Sequence, residues 1–393
     1  MAEINLARLA DEQRRKSVRR SHKENAGSTC IELFAGCGGM ATGLQLAGFK
    51  HTALVEFNPS ACETLRRNFG RVQLENSVAI LEQDVRDINW RERKGIDVVA
   101  GGPPCQPFSM GGLAAGAYDS RNMWPEAIRA VQELRPRAFL FENVKGLLRP
   151  AFGEYLEEIA RALRCGGEGN DGGSYQYDVT VVLVNAADYG APQRRERVFV
   201  AGVRIDCGTM RPFPRPTHSL RRLVWDKWVT GEYWRKHNVA PPGSGPVTGI
   251  EQKALREIQR ARVEPQELPW QTCRDGFEGL GEPSTSPSDF GHEFRPGAKA
   301  YPGHEGSPID LPAKALKAGA HGVPGGENML VENSGSARYF TVREAARLQG
   351  MPDGFEILGS ASQAMRQLGN AVPVQLAEVA ARWIRECLSD HDG

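Results

Sequence analysis

Six strand-length apolar runs, separated by stretches with helical spacing, dominate residues 29–204 and constrain the fold more than any other feature of the chain. The runs are TCIELF (29–34), TALVEF (52–57), DVVAGG (97–102), AFLFENV (138–144), DVTVVLV (178–184) and RVFVAGV (197–203). They are rich in β-branched and aromatic residues, as strands are. Between them lie NPSACETLRRNF, MWPEAIRAVQEL and FGEYLEEIARAL, whose apolar residues recur at helical intervals. Strands alternating with helices predict right-handed βαβ units, hence an α/β domain over 29–204 with a parallel sheet covered by helices on both faces.

Past Arg204 the pattern changes. Residues 205–337 carry PFPRPTH, APPGSGP, GEPSTSPS and HGVPGGE without sustained periodicity. A disordered insert is the alternative reading. Trp225, Trp228, Tyr233, Trp234, Phe277, Phe290 and Tyr301 supply core material that disordered segments lack, so a second, smaller and irregular domain is expected there. Helical periodicity resumes in TVREAARLQG (341–350) and PVQLAEVAARWIREC (373–387), and 338–393 is expected to return to the first domain. Residues 1–28 read as a basic arm, with RRKSVRRSHK but no apolar segment of a secretory signal. No run of about 18 apolar residues occurs, so a cytoplasmic protein without membrane association is expected.

The 49 basic and 48 acidic residues leave a net charge of +1, which neither demands nor excludes a polyanionic partner. The eight cysteines include no CxxC pair, so neither a zinc site nor a disulfide scaffold is indicated.

Three patterns carry chemistry. The first strand runs into FAGCGGM (34–40), where Gly36, Gly38 and Gly39 would let a ligand lie against the backbone at a helix start. A purely packing role for such a turn is the alternative. Glu56 ends the next strand, where a carboxylate suits a ribose diol. The spacing FxGxGG departs from the GxGxxG that seats a pyrophosphate, favouring an adenosyl cofactor without one, such as S-adenosylmethionine, over NAD. Phe57 would stack on the adenine, and Asp84 in EQDVRD would accept from its amino group.

In GGPPCQPFS (101–109), Pro103, Pro104 and Pro107 fix φ around Cys105, so the thiol is presented by a stiff turn at the carboxyl edge of the sheet. The glycines of SMGGLAAGA that follow suit a loop that closes. A lone cysteine is usually a small buried hydrophobe, but a core position needs no such clamp. Glu142 ends the strand AFLFENV at the same edge, where a carboxylate is costly unless paired or functional. Arg195 and Arg197, two apart in QRRERVF (193–199), suit a carboxylate, phosphate or carbonyl partner; a solvated strand end is the alternative.

ELFAGCGG, GGPPCQPFS, ENV, QRRERVF, TVREAARLQG and GNAVPVQ, in this order, resemble the motifs of the cytosine carbon-5 DNA methyltransferases of bacterial restriction-modification systems. The resemblance covers 29–204 and 338–388 and implies a Rossmann-like S-adenosylmethionine-dependent methyltransferase fold, with 205–337 as the target-recognition domain. It implies that Cys105 attacks carbon 6 of a cytosine flipped out of double-stranded DNA, that Glu142 holds ring nitrogen 3 and the amino group, and that Arg195 and Arg197 hold the base oxygen and Glu142. Phe34, Gly36, Gly38, Gly39, Glu56, Phe57, Asp84, Pro103, Asn370 and Val372 would line the cofactor pocket. Ser109 and Gly111 on the cysteine loop, with Arg211, Arg215, Arg221 and Arg222 from a basic segment, would contact DNA. Region 205–337 as a whole is balanced, with 16 basic and 16 acidic residues, so a solvated face is the alternative for each. Arg343 and Arg347 are expected to orient the recognition domain. A monomer is expected, with a cognate endonuclease acting on the same site without direct contact. Transfer-RNA methylation and a DNA-binding protein without catalysis are the competing functions.

Overall fold

The computed structural model describes residues 28–70, 78–93, 95–104, 122–166, 175–243, 245–246, 248–286, 291–299, 305–318 and 328–388. The basic arm, Cys105, Ser109 and Gly111 lie outside the described residues.

Eight strands build or flank the central sheet: β1 (Thr29–Leu33), β2 (Lys50–Glu56), β3 (Ala79–Glu82), β4 (Val98–Gly101), β5 (Ala138–Val144), β6 (Tyr177–Asn185), the two-residue β7 (Gln193–Arg194) and β8 (Glu196–Arg204). Seven form one sheet in the order β3-β2-β1-β4-β5-β8-β6. The first five are parallel, connected by α1 (Gly39–Leu46), α2 (Pro59–Phe69) and α3 (Trp124–Leu134), whereas β8 runs antiparallel to both neighbours. The expectation of a parallel sheet is therefore corrected at this edge. Between β6 and β8 only residues 186–195 intervene, too few for the crossover a parallel pair requires, and the chain turns back as a hairpin instead.

The order reverses between β1 and β4, which pair directly, with Leu33 opposite Gly101. Open α/β sheets bind ligands at the carboxyl ends of the strands beside such a reversal. The glycine turn leaves β1 there, and the segment Gly102–Pro104 leaves β4 beside it.

Each face of the sheet is covered. On one, α3 and α4 (Gly153–Arg164) bury Ile31, Val55, Trp90, Trp124, Phe139 and Phe141. On the other, Leu44 of α1 and Leu376, Trp383 and Ile384 of the C-terminal helix pack on Cys30, Leu140 and Phe199.

The irregular region holds α5 (Leu220–Trp228), α6 (Glu232–His237) and α7 (Gly249–Ala261). Ser219 caps α5 by accepting from the Arg222 amide, and Thr248 caps α7 from the Glu251 amide. Leu223, Tyr233, Trp234 and Leu311 form a small core, joined by Trp228 and Trp270. Beyond it the chain does not separate cleanly. Cys273, Ala313, Leu316 and Leu330 share one core with Leu54, Leu65 and Phe69 and with Leu348 and Leu368. The last helices are α8 (Val342–Leu348), α9 (Ala361–Asn370) and α10 (Val374–Leu388), the first two opened by capping boxes at Thr341 and Ser360.

Candidate active site

A cleft of about 1940 Å³ opens over the carboxyl ends of the strands, lined by residues from the glycine turn, β2, β5, the β7–β8 segment, 314–318 and 363–372. Its geometry starts with the backbone. Phe34 adopts φ 56° and Gly36 φ 55°, so the chain turns sharply as it leaves β1. A left-handed conformation for an aromatic residue costs on the order of 1–3 kcal/mol and persists only where surroundings impose it. A Cβ on Gly36 would meet nothing within 4 Å, because that side of the turn faces the open cleft.

Glu56 is held by three backbone donors: Gly36 N–H at 2.9 Å, Phe57 N–H at 3.0 Å and Asn58 N–H at 2.8 Å. Such bonding fixes the carboxylate's orientation and leaves Oε2, which accepts only one of the three bonds, free to accept from a ribose hydroxyl. Phe57 beside it is 68% exposed and lines the cleft, offering an apolar face there. Open backbone, an aimed carboxylate and an exposed ring fit an adenosyl cofactor.

Pro103, Asp84, Asn370, Val372 and Gly39 also line the cleft. Two expected residues have other partners. Gly38 does not line it; a Cβ there would stand 2.6 Å from the Phe69 ring, so its glycine serves packing. Asp84 forms a two-pronged pair with Arg86, at 2.9 and 2.5 Å, and this pairing lowers its pKa. Sequence reasoning missed Glu32, which lines the cleft from β1 while fully buried. Its Oε2 lies 3.6 Å from His51 Nε2, and burial raises its pKa.

At the end of β5, Glu142 is 8% exposed and ion-paired through Oε1 with Arg197 Nε. Asn143 donates from Nδ2 to the Pro103 carbonyl at 3.1 Å. The Glu142 strand thus anchors the segment Gly102–Pro104 that precedes Cys105 in the chain. Gly102 passes close by: a Cβ there would lie 3.2 Å from Glu142 Oε2.

Arg195 and Arg197 diverge in partners. Arg195 is 2% exposed and donates to the carbonyls of Leu316 at 2.7 Å and Gly369 at 2.5 Å. It makes no hydrogen bond to Glu142 among the described residues; instead it ties the core to two later segments. Burial, reinforced by the Arg197 charge, lowers its pKa.

Two of the four basic residues expected at DNA, Arg211 and Arg222, have partners within the protein. Arg211 donates from its amide to Cys387 Sγ, and its carbonyl accepts from Trp383 Nε1, beyond the end of β8. Because β8 is antiparallel, that end lies away from the cleft. Arg222 is paired with Asp226 at 2.9 Å and Glu264 at 2.8 Å. Arg215 and Arg221 are exposed. None of the four lines the cleft; Lys145, Arg149, Arg194, Lys314, Lys317 and Arg366 do. Only Arg194 lay inside a motif visible in the sequence.

The sheet order, the glycine turn and the aimed Glu56 carboxylate define an S-adenosylmethionine-dependent methyltransferase. The family model for C-5 cytosine-specific DNA methylase matches residues 28–242 and 244–386, so the chain belongs to that family and is a DNA cytosine-5 methyltransferase. Similar proteins include the Type II methyltransferase M.NgoMIV of Neisseria gonorrhoeae, 31% identical over 371 residues, spanning 92% of this chain and 98% of the relative. Another is M.FnuDI of Fusobacterium nucleatum, 29% identical over 92% of this chain and 95% of its own length. Among solved structures, S. pombe Dnmt2 methyltransferase aligns with a TM-score of 0.57 at 18% identity, covering 92% of this chain and 98% of that one. Entamoeba histolytica methyltransferase EhMeth aligns with a TM-score of 0.58 at 16% identity over 93% and 99%. These two likenesses concern the fold alone.

Proposed function

We propose that this methyltransferase modifies cytosine within one short sequence of duplex DNA, with Cys105 as nucleophile and Glu142, presented by Arg197, as the group that recognises and protonates the base. The observation that carries this reading is the Glu142–Arg197 pair near Pro103, which stands two residues before Cys105 and whose carbonyl accepts from Asn143.

Carbon 5 of cytosine is a poor nucleophile, and covalent addition divides one hard step into two easier ones. The Cys105 thiolate adds to carbon 6 while Glu142 supplies a proton to ring nitrogen 3, leaving carbon 5 electron-rich. Bound S-adenosylmethionine supplies the methyl group. Loss of the carbon-5 proton to solvent then expels the thiolate, and ring nitrogen 3 returns its proton to Glu142, restoring the ring. Neither face of a stacked base is open to a thiol, so the cytosine must leave the duplex first. Phe34, Gly36, Glu56, Phe57, Asn370 and Val372 would hold the cofactor.

Relatives named as Type II methyltransferases support a place in a restriction-modification system, with a cognate endonuclease reading the same site separately. We assign the enzyme to the cytoplasm as a monomer, with residues 205–337 reading the target.

Labelled S-adenosylmethionine and unmethylated duplex DNA test the reading, with modified positions mapped by sequence. The expected result is label at cytosine carbon 5 in one short context, abolished in Cys105→Ala with cofactor binding intact. Glu142→Gln is expected to lower turnover by about 10²–10⁴-fold. Turnover retained by Cys105→Ala would refute the covalent mechanism, and label on transfer RNA in a competition would redirect the substrate.

A further inference from the structure

Gln193–Arg194 (β7) pairs in parallel with Ala313–Lys314, where the chain returns from the recognition region. The register sets Gln193 beside Ala313 and Arg194 beside Lys314. Neighbouring side chains on a strand point to opposite sides. Gln193 and Ala313 are fully buried, and Gln193 accepts from the Leu316 amide at 3.0 Å and donates to the Leu348 carbonyl at 3.1 Å. Arg194 and Lys314 face the other way, and both line the cleft. Two cations therefore stand side by side across the seam between the catalytic core and the recognition region.

Among the described residues neither has a counter-charge within ion-pair distance. Among the described residues no hydrogen bond or ion pair is made by either side chain, and Arg194 Nε is buried without a partner. Burial accordingly lowers the Arg194 pKa. Other half-buried arginines of this chain are matched: Arg338 with Glu344 at 2.6 Å, Arg274 with Asp310 at 2.6 Å, Arg129 with Glu126 at 2.7 Å. Adjacent like charges, one of them partly desolvated, are unfavourable until an anion joins them.

We infer that Arg194 and Lys314 form a seat for a backbone phosphate of the DNA strand that carries the target cytosine. Arg197, three residues along from Arg194, holds Glu142, so the seat adjoins the base pocket. The ribose-binding carboxylate Glu56 ends β2, four strand spacings from β8, or roughly 19 Å, which separates the seat from the adenosyl end of the cofactor. A guanidinium fork and a mobile ammonium are complementary donors for one phosphate. Because one cation belongs to each side of the seam, the phosphate would also hold the recognition region against the core.

This inference rests on duplex DNA being the substrate, and the experiment separates the two. Binding of a fluorescein-labelled unmethylated duplex containing the mapped site is measured against salt for the full chain and for Arg194→Gln, Lys314→Gln and the double variant. The double variant is expected to reduce the slope of log K against log salt by about 0.9, the value for one duplex phosphate. S-adenosylmethionine affinity and thermal midpoint are expected to stay unchanged, and Arg194→Lys to retain the slope. An unchanged slope in the double variant overturns the inference. So does a loss of cofactor affinity with DNA binding intact, which would make the cofactor carboxylate the anion. If the unaltered protein binds no duplex and labels none, the substrate reading fails, and this inference with it.

Discussion

Glu142 and Arg195 show how differently two residues flagged by the same sequence block behave once folded. Glu142 meets Arg197, as the motif implied, at the carboxyl end of β5. Arg195, expected beside it, instead donates to the carbonyls of Leu316 and Gly369, contacts at sequence separations of 121 and 174 that no local pattern could reveal. Cys37 makes a related point within the glycine turn. It is buried, and burial pushes its thiol up to about 12, so it is inert where Cys105 is proposed to react. Of the seven described cysteines only Cys165 is exposed. Brief alkylation of the native protein at pH 8, read by peptide mass spectrometry, is expected to modify Cys165 and leave Cys37 untouched; labelling of Cys37 at the rate of Cys165 would contradict its burial.

At the scale of elements, α1 illustrates why glycines that look like ligand contacts also serve packing. A Cβ at Gly39 would stand 2.4 Å from the Val372 carbonyl, and one at Gly43 would stand 2.5 Å from Ala377 Cβ. The two glycines, one turn apart, let α10 lie directly against α1, and this contact brings Asn370 and Val372 to the cleft. Gly43→Val is expected to destabilise the fold by about 1–3 kcal/mol through overpacking, measured by urea denaturation. A stability equal to that of the unaltered protein would mean the helices separate without loss. The hairpin of β6 and β8 follows the same logic of distance along the chain. Its strands were legible as apolar runs, but their direction depended on a connection length that rules out a crossover.

Across the whole molecule, residues 205–337 pack both against the rest of the chain and within themselves, and two contacts illustrate this. One is the shared core of Cys273, Ala313, Leu316 and Leu330 with the C-terminal helices. The other is internal: Lys227 Nζ lies 2.5 Å from Glu251 Oε1, joining α5 to α7, with the rings of Trp228, Tyr233 and Trp234 at 5.3–5.6 Å. Both side chains are buried, so Glu251→Ala leaves an uncompensated charge and is expected to cost about 3–5 kcal/mol in urea denaturation. Replacing both partners by apolar residues is expected to recover most of it; equal losses in single and double variants would mean that the pair itself stabilises the region. The sequence alone determined the alternating α/β plan, the glycine turn and the carboxylate ending β5, because each is a local pattern of residue types with a local physical cause. Which elements meet was decided only by tertiary structure. The β1–β4 reversal, the bonds of Arg195 to two distant carbonyls and the pairing of Arg194 with Lys314 join residues tens to more than a hundred positions apart, and packing across the core, rather than propensity along the chain, selects those partners.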